Sequence, residues 1–323
     1  MRNTKGKRFA DKKSAKSKNI QNEKRTNISI LNVPDSNNIN KFENNNVNRF
    51  ENNNVNRFEA EQYTHSKKDK KKKKKKKSIL FNIIIIICLA AIIYSSYNIV
   101  LWFIDNYKNK KLLEDLYNDV TITEEDVIIN DTKLKKKHYD ITKLIERNPD
   151  TVGWIYVNNT NIDYPIVQAK DNDFYLNHTF DKESNSVGSI FADYRCSFPK
   201  LGYNTVVYGH NRKDGSMFGT LQRSLTEEWY SEEENLYINM STANEDHIYR
   251  VFSTFVCNDE DVTGYTQTSF SSKEDFKNYV NKLKQRSSHN FETDLNEASQ
   301  ILTLYTCYGI NNQRLLVCAV LVE

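Results

Sequence analysis

The stretch Thr303-Leu304-Tyr305-Thr306-Cys307 decides the reading of this chain, because its cysteine ends the apolar, β-prone run Ile301-Leu302-Thr303-Leu304. A strand there delivers the thiol to a strand mouth. Upstream, Val206-Val207-Tyr208-Gly209-His210-Asn211 repeats the pattern and delivers a histidine. Arg314 then opens the apolar run Leu315 to Val322. Other strand-like pieces are Gly153–Val157, Ile162–Val167, Ser189–Ala192, Leu236–Asn239 and Tyr249–Val256. Short strands separated by turn residues predict an antiparallel barrel or sandwich. One helix interrupts them. Ser271 and Glu274 have capping-box spacing, and Phe276, Tyr279, Val280 and Leu283 follow at helical intervals.

The three strand ends offer a nucleophile, a proton carrier and a fixed cation. Only the thiolate of a cysteine attacks carbonyls well, and a neighbouring imidazolium both favours it and can protonate a departing amine. The tetrahedral intermediate then needs fixed donors for its oxyanion. Arg314 suits that task because a guanidinium is always charged and donates from a rigid fork. Backbone N–H groups around Thr306 are further candidates. His138, His178, His247 and His289 lack such a setting and read as structural or surface residues. Cys257 and Cys318 lie in apolar runs and read as small buried hydrophobes. Irregular cysteine spacing does not form a disulfide framework.

The order histidine, TLxTC-like cysteine, arginine resembles the sortases, the cysteine transpeptidases of Gram-positive cell surfaces. Residues 138–323 carry the resemblance. Gly153-Trp154-Ile155, Ile162-Asp163-Tyr164-Pro165-Ile166-Val167-Gln168, Phe174-Tyr175-Leu176, Gly188-Ser189-Ile190-Phe191 and Gly209-His210-Asn211 before Met217-Phe218 look like class B. The resemblance implies a mainly β fold: an eight-stranded barrel with N-terminal helices and a helix in the loop before the cysteine strand. It implies cleavage of a C-terminal sorting signal after threonine through a thioacyl-enzyme, with transfer of the protein to a cell-wall amine. Implied partners are surface proteins bearing that signal and a peptidoglycan precursor or other amine acceptor. By analogy His210 is general acid/base, Cys307 nucleophile and Arg314 the oxyanion or substrate-orienting residue. Tyr305, where the family commonly has serine, and Thr306 fall on the substrate side. Two alternatives remain: a membrane-tethered cysteine protease, or a surface binding module without turnover. Papain-like chemistry usually places the cysteine on a helix before its histidine; here it follows a strand and comes last.

Charge divides the chain. Residues 1–77 hold 23 Lys and Arg against 8 Asp and Glu, whereas residues 105–323 hold 23 against 34. The excess positive charge belongs to the N-terminal part, so the overall balance is no argument for nucleic-acid binding. Residues 78–104 carry no charge and include five consecutive isoleucines, Ile83 to Ile87. About 20 residues at ~1.5 Å rise cross a bilayer core, so residues 78–104 are read as a transmembrane helix in contact with membrane lipid. Ten lysines among residues 67–77 precede the span, and Lys108, Lys110 and Lys111 follow it. The larger cluster stays inside, which predicts a single-pass cell-membrane protein with a cytoplasmic N-terminus and an extracytoplasmic catalytic domain. The expected divisions are a disordered basic tail over 1–77, with Phe-Glu-Asn-Asn-Asn-Val-Asn-Arg at 42–49 and again at 50–57, the span, a juxtamembrane helix and polar linker over 105–137, and the catalytic domain over 138–323. No metal or cofactor is expected: CxxC, HExxH, EF-hand and glycine-rich phosphate-loop patterns are absent from the sequence. Asp259-Glu260-Asp261 reads as solvated charge.

Overall fold

A computed structural model of the protein describes residues 52–309 and 312–323. The chain divides into two compact units, Met1–Leu80 and Phe81–Glu323. The described part of the first, residues 52–80, is helical and belongs to α1 (Asn52–Asp119). The lysine tract is thus helical where the sequence suggests a structureless tail. Nucleating a helix is costly and extending it is cheap, so a tract of helix-compatible lysines can continue a helix built on the apolar run beside it. Residues 1–51, with most of the repeat, lie outside the described residues.

Among the described residues, Glu61–Asp119 is the helix long and apolar enough to cross a membrane, with a mean hydropathy of 2.6 over its most apolar window. Its isoleucines from Ile83 to Ile87 are all exposed. Beyond Ile104 the helix engages the barrel. Asp105 accepts hydrogen bonds from Ser186 Oγ (2.8 Å) and Ser186 N (3.2 Å), and Arg212 donates to Asn106 Oδ1. Leu116 is fully buried.

The expected polar linker is instead a hairpin of β1 (Thr121–Ile129) and β2 (Thr132–Asp140). Its two-residue turn is Asn130-Asp131, both at positive φ (51° and 63°), as a twist-matched primed turn requires. Lys133 and Lys135 each reach Asp126 at 3.1 Å across the strands. α2 (Thr142–Arg147) follows and ends where Asn148 turns extended ahead of Pro149.

The barrel strands are β3 (Thr151–Val157), β4 (Asp163–Val167), β5 (Phe191–Ala192), β6 (Asn204–Tyr208), β7 (Tyr237–Ser241), β8 (Asp246–Asn258), β9 (Ile301–Tyr308) and β10 (Gln313–Leu321). A short α3 (Glu227–Tyr230) lies between β6 and β7. The eight strands close in the order β10-β8-β7-β3-β4-β5-β6-β9. All pairs are antiparallel except β4–β5 and β6–β9. This is the predicted eight-stranded barrel, and closure removes the free edges that an open sheet would expose.

Alternation along β9 and β10 separates two faces. Leu302, Leu304, Leu315 and Val317 point into the barrel core. Ile301, Leu316, Cys318 and Val320 point outward, beneath α4 (Lys273–Arg286). α4 buries the anticipated Phe276, Tyr279, Val280 and Leu283. Its cap lies one residue later than the sequence suggests: Ser272 Oγ accepts from Asp275 N at 3.1 Å, while Asp275 accepts from Ser271 N at 3.0 Å. Burying each such apolar side chain contributes about 1.5–3 kcal/mol. Both faces of β9 are therefore covered for most of its length. Its last residues emerge beyond that cover.

Candidate active site

The parallel pairing of β6 with β9 brings two distant segments together. Its register sets Val207 beside Leu304 and Tyr208 beside Tyr305. Two further bonds extend it: Gly209 N donates to Tyr305 O (3.2 Å), and Thr306 Oγ1 donates to Gly209 O (2.7 Å). The next positions are His210 and Cys307. Antiparallel β10 places Arg314 opposite Cys307. Neighbouring strands lie about 4.8 Å apart, so Cys307 and Arg314 are adjacent on β9 and β10, and His210 follows two residues past the end of β6, the strand on the other side of β9.

Alternation decides which way they face. Thr306 is buried and pinned to Gly209, so Tyr305 and Cys307 on either side of it point outward. Cys307 is exposed. Gly209 leaves no room for a side chain: a Cβ there would lie 2.5 Å from Ile190 and 2.8 Å from Phe218. That close approach lets the chain leave β6 directly into the His210 loop, which Phe218 N closes by donating to His210 O (2.9 Å).

His210 Nε2–H donates to the Leu176 carbonyl at 2.6 Å. A carbonyl only accepts, so the neutral ring carries its proton on Nε2 and keeps the Nδ1 lone pair free to take one. The sequence does not reveal this partner, since a carbonyl thirty-four residues away has no side-chain signature. The other described barrel histidines serve packing or ion pairing. His178 stacks on Phe174 with centroids 4.1 Å apart, His289 stacks on Tyr230 at 3.8 Å, and His138 pairs with Asp246 at 2.8 Å.

Arg314 is held along one edge. Its Nε donates to Tyr305 Oη (2.8 Å) and lies 3.0 Å from Asp259 Oδ1, while Nη1 donates to the Gln313 carbonyl (3.0 Å). Asp259, which reads as solvated charge in the sequence, is therefore an ion-pair partner of this arginine. Burial pushes the Tyr305 phenol up to about 12 against the opposing pull of Arg314, so it is neutral near pH 7. Tyr305 packs edge-on against Tyr208 with centroids 4.9 Å apart. Tyr208 in turn donates to Asp193 Oδ2 at 2.7 Å. Burial would raise the Asp193 carboxyl, but hydrogen bonds from Arg195 and Tyr208 outweigh it and hold the group below the ordinary carboxylate range. None of Asp259, Tyr208 or Asp193 stands out in the sequence, because only the folded barrel brings them to this face.

The remaining barrel thiols are of another kind. Burial pushes Cys196 up to about 11 and Cys318 up to about 12, and it raises Cys257 as well. Such thiols stay protonated and unreactive near neutrality.

The closed barrel thus bears an outward thiol on β9, a guanidinium opposite it on β10 and an imidazole just past the end of β6. Comparison with known proteins gives its family. The sortase domain model matches residues 155–322. Sortase B of Listeria monocytogenes is 34% identical over 220 residues, covering 68% of this chain and 86% of the relative. Sortase B of Staphylococcus aureus is 29% identical over 240 residues, covering 72% and 92%. Among solved structures, sortase B of Bacillus anthracis in complex with AAEK1 superposes with a TM-score of 0.57 at 34% identity, covering 68% of this chain and 99% of that one. A substrate complex of Staphylococcus aureus sortase B superposes with a TM-score of 0.52 at 31% identity, covering 56% and 83%. The chain belongs to the sortase family, in its class B, and is a cysteine transpeptidase.

Proposed function

We propose that this protein is a membrane-anchored transpeptidase in which Cys307 is the nucleophile, His210 the general acid/base and Arg314 the oxyanion or substrate-orienting donor. The observation that carries this reading is register: Arg314 lies opposite Cys307 on β10, and the β6–β9 pairing ends at Tyr208 and Tyr305, two residues before His210 and Cys307. The Cys307 thiolate attacks the threonine carbonyl of a C-terminal sorting signal and forms a tetrahedral intermediate, whose oxyanion takes hydrogen bonds from Arg314. Collapse breaks the peptide bond as imidazolium protonates the departing amine, leaving a thioester on Cys307. An amine of a cell-wall precursor then attacks the thioester. It loses a proton to His210 and releases the thiolate, so an amide replaces the one cleaved and no net redox change occurs. Tyr305 and Thr306 belong to the substrate side, Thr306 through its backbone because its side chain is buried. The substrate complex of the similar Staphylococcus aureus enzyme supports a sorting-signal substrate.

Anchoring rests on the apolar run of α1 and on lysine asymmetry. Ten lysines precede the run and three follow closely, which favours a cytoplasmic N-terminus and an extracytoplasmic barrel.

The test is mass spectrometry of the full chain in membranes with a threonine-containing sorting peptide, with and without added amine. We expect a thioacyl adduct on Cys307 that becomes an amide product when amine is supplied. Hydrolysis alone would make the protein a protease, and binding without an adduct would make it a binding module. Protease added outside intact cells should reach a tag beyond residue 105 and spare one at the N-terminus. The reverse pattern would remove the enzyme from any cell-wall acceptor.

A further inference from the structure

We propose that Tyr305 is a positioning residue for Arg314: its phenol holds the guanidinium through Nε, so that Nη2 is left to serve the substrate oxygen at Cys307. The proposal deepens the transpeptidase reading and rests on it.

The argument begins with strand geometry. Tyr305 and Cys307 are two residues apart on β9 and share its outward face, while Arg314 lies directly across from Cys307. An arginine in that position has a long, flexible stem, and fixing it costs side-chain entropy unless neighbours already hold it. Here they do. The phenol oxygen accepts from Nε at 2.8 Å and the Gln313 carbonyl accepts from Nη1 at 3.0 Å. Nη2 has no hydrogen bond among the described residues. A planar guanidinium with two of its three nitrogens tied has its third donor group set in direction.

The phenol is itself braced. Its ring packs edge-on against Tyr208 at 4.9 Å, and the Tyr208 hydroxyl is bound to fully buried Asp193, which Arg195 grips with two bonds of 2.8 and 2.7 Å. The chain of contacts therefore runs from buried Asp193, paired with exposed Arg195, through two tyrosines, to the arginine beside Cys307. A serine at position 305 would be too short to make this bridge, so the device belongs to the tyrosine.

Asp259 Oδ1 lies 3.0 Å from the same Nε, but its side chain is 45% exposed, so water and salt screen its pull. The phenol, neutral and more enclosed, provides direction without neutralising the guanidinium. That distinction matters for an oxyanion donor, whose charge must remain available to the intermediate.

Full-length Tyr305→Phe, Arg314→Lys and the double variant form the test, with kcat and KM measured on a sorting peptide and corrected for the active fraction by titrating Cys307. Phenylalanine keeps the ring and its contact with Tyr208, so the melting temperature should hold within a few degrees. Losing one hydrogen bond to a charged group should lower kcat about tenfold with KM nearly unchanged. In the Arg314→Lys background the same change should add almost nothing, because the group it positions is gone. Losses that multiply, or a raised KM with kcat intact, would mean that Tyr305 acts on substrate alone and not through Arg314, and would overturn the proposal. Asp259→Asn should cost less than Tyr305→Phe; a larger loss would assign the positioning to the carboxylate instead. A separate readout needs no turnover. In the 15N-arginine-labelled protein, the Arg314 Nε–H signal, identified by its absence in Arg314→Lys, should exchange slowly with solvent in wild type and rapidly in Tyr305→Phe. Should wild type fail to turn over the peptide, the transpeptidase reading falls, and this signal alone still decides whether the phenol holds the arginine.

Discussion

Cys307 and Cys318 stand on neighbouring strands of one barrel and face the same way, yet their surroundings have almost nothing in common. Cys318 lies opposite Thr303, four residues before Cys307, and is fully buried in the apolar cluster beneath α4. Cys307 lies past the end of that cover and is exposed. Four residues of strand amount to about 13 Å. Over that distance the same functional group passes from packing atom to candidate nucleophile. What changes is access to water and the company of a cation and an imidazole. Arg314 makes the boundary visible, since it pairs with exposed Cys307 on one side and nearly buried Cys257 on the other.

The comparison breaks first if the two thiols can be exchanged in function. Cys307→Ala should lower transpeptidation by at least about a thousandfold with little change in melting temperature, whereas Cys318→Ala should stay within about twofold of wild-type activity. Similar losses in both would mean that the fold, not the thiol, is being measured. Next in size, Arg314→Lys keeps the charge but loses the planar fork. It should lower kcat about a hundredfold, and a lysine variant of full activity would reduce Arg314 to a surface charge.

The smallest effect concerns alkaline stability. An unfolded-chain thiol titrates near pH 8.5, while burial holds Cys318 up to about 12 in the folded state. A folded pKa raised above the unfolded one gives stability that is complete below about 8.5 and lost as pH climbs toward the folded value. Wild-type stability should therefore decline between about pH 8.5 and 10, by at most about 1.4 kcal/mol per pH unit from this group, and Cys318→Ala should decline less steeply. Denaturant midpoints across that range provide the check; equal slopes would mean that the thiol is hydrated after all.

Legibility in the sequence followed the same boundary. The barrel strands were readable because covered strands are apolar and bounded by turn residues, and the apolar run Val206-Val207-Tyr208 falls within β6. Cys307, His210 and Arg314 could be proposed from the sequence because each stands at the boundary of an apolar run. Facing was not readable on β9, since α4 covers the outer side and leaves both alternating sets apolar. The β1–β2 hairpin was missed for the opposite reason. Its strands are mostly exposed and charged, so no buried face imprints a period of two. Asn130-Asp131 was the available signal, a pair able to adopt positive φ between runs that end in isoleucine and begin in threonine. Asp259 stayed hidden because an acidic cluster in a loop looks the same whether water or an arginine answers it.

The parallel pairing of β6 with β9 also sets when the candidate site can form. His210 and Cys307 are separated by ninety-seven positions, and nothing local holds them together. Their meeting requires the whole intervening segment to close on itself, a costly step whose reward comes only once the long-range strand pair has formed. A nascent or partly unfolded molecule thus carries a thiol without its partners, chemically no more assertive than any other cysteine. On the proposed reading, reactivity arrives only with the completed fold.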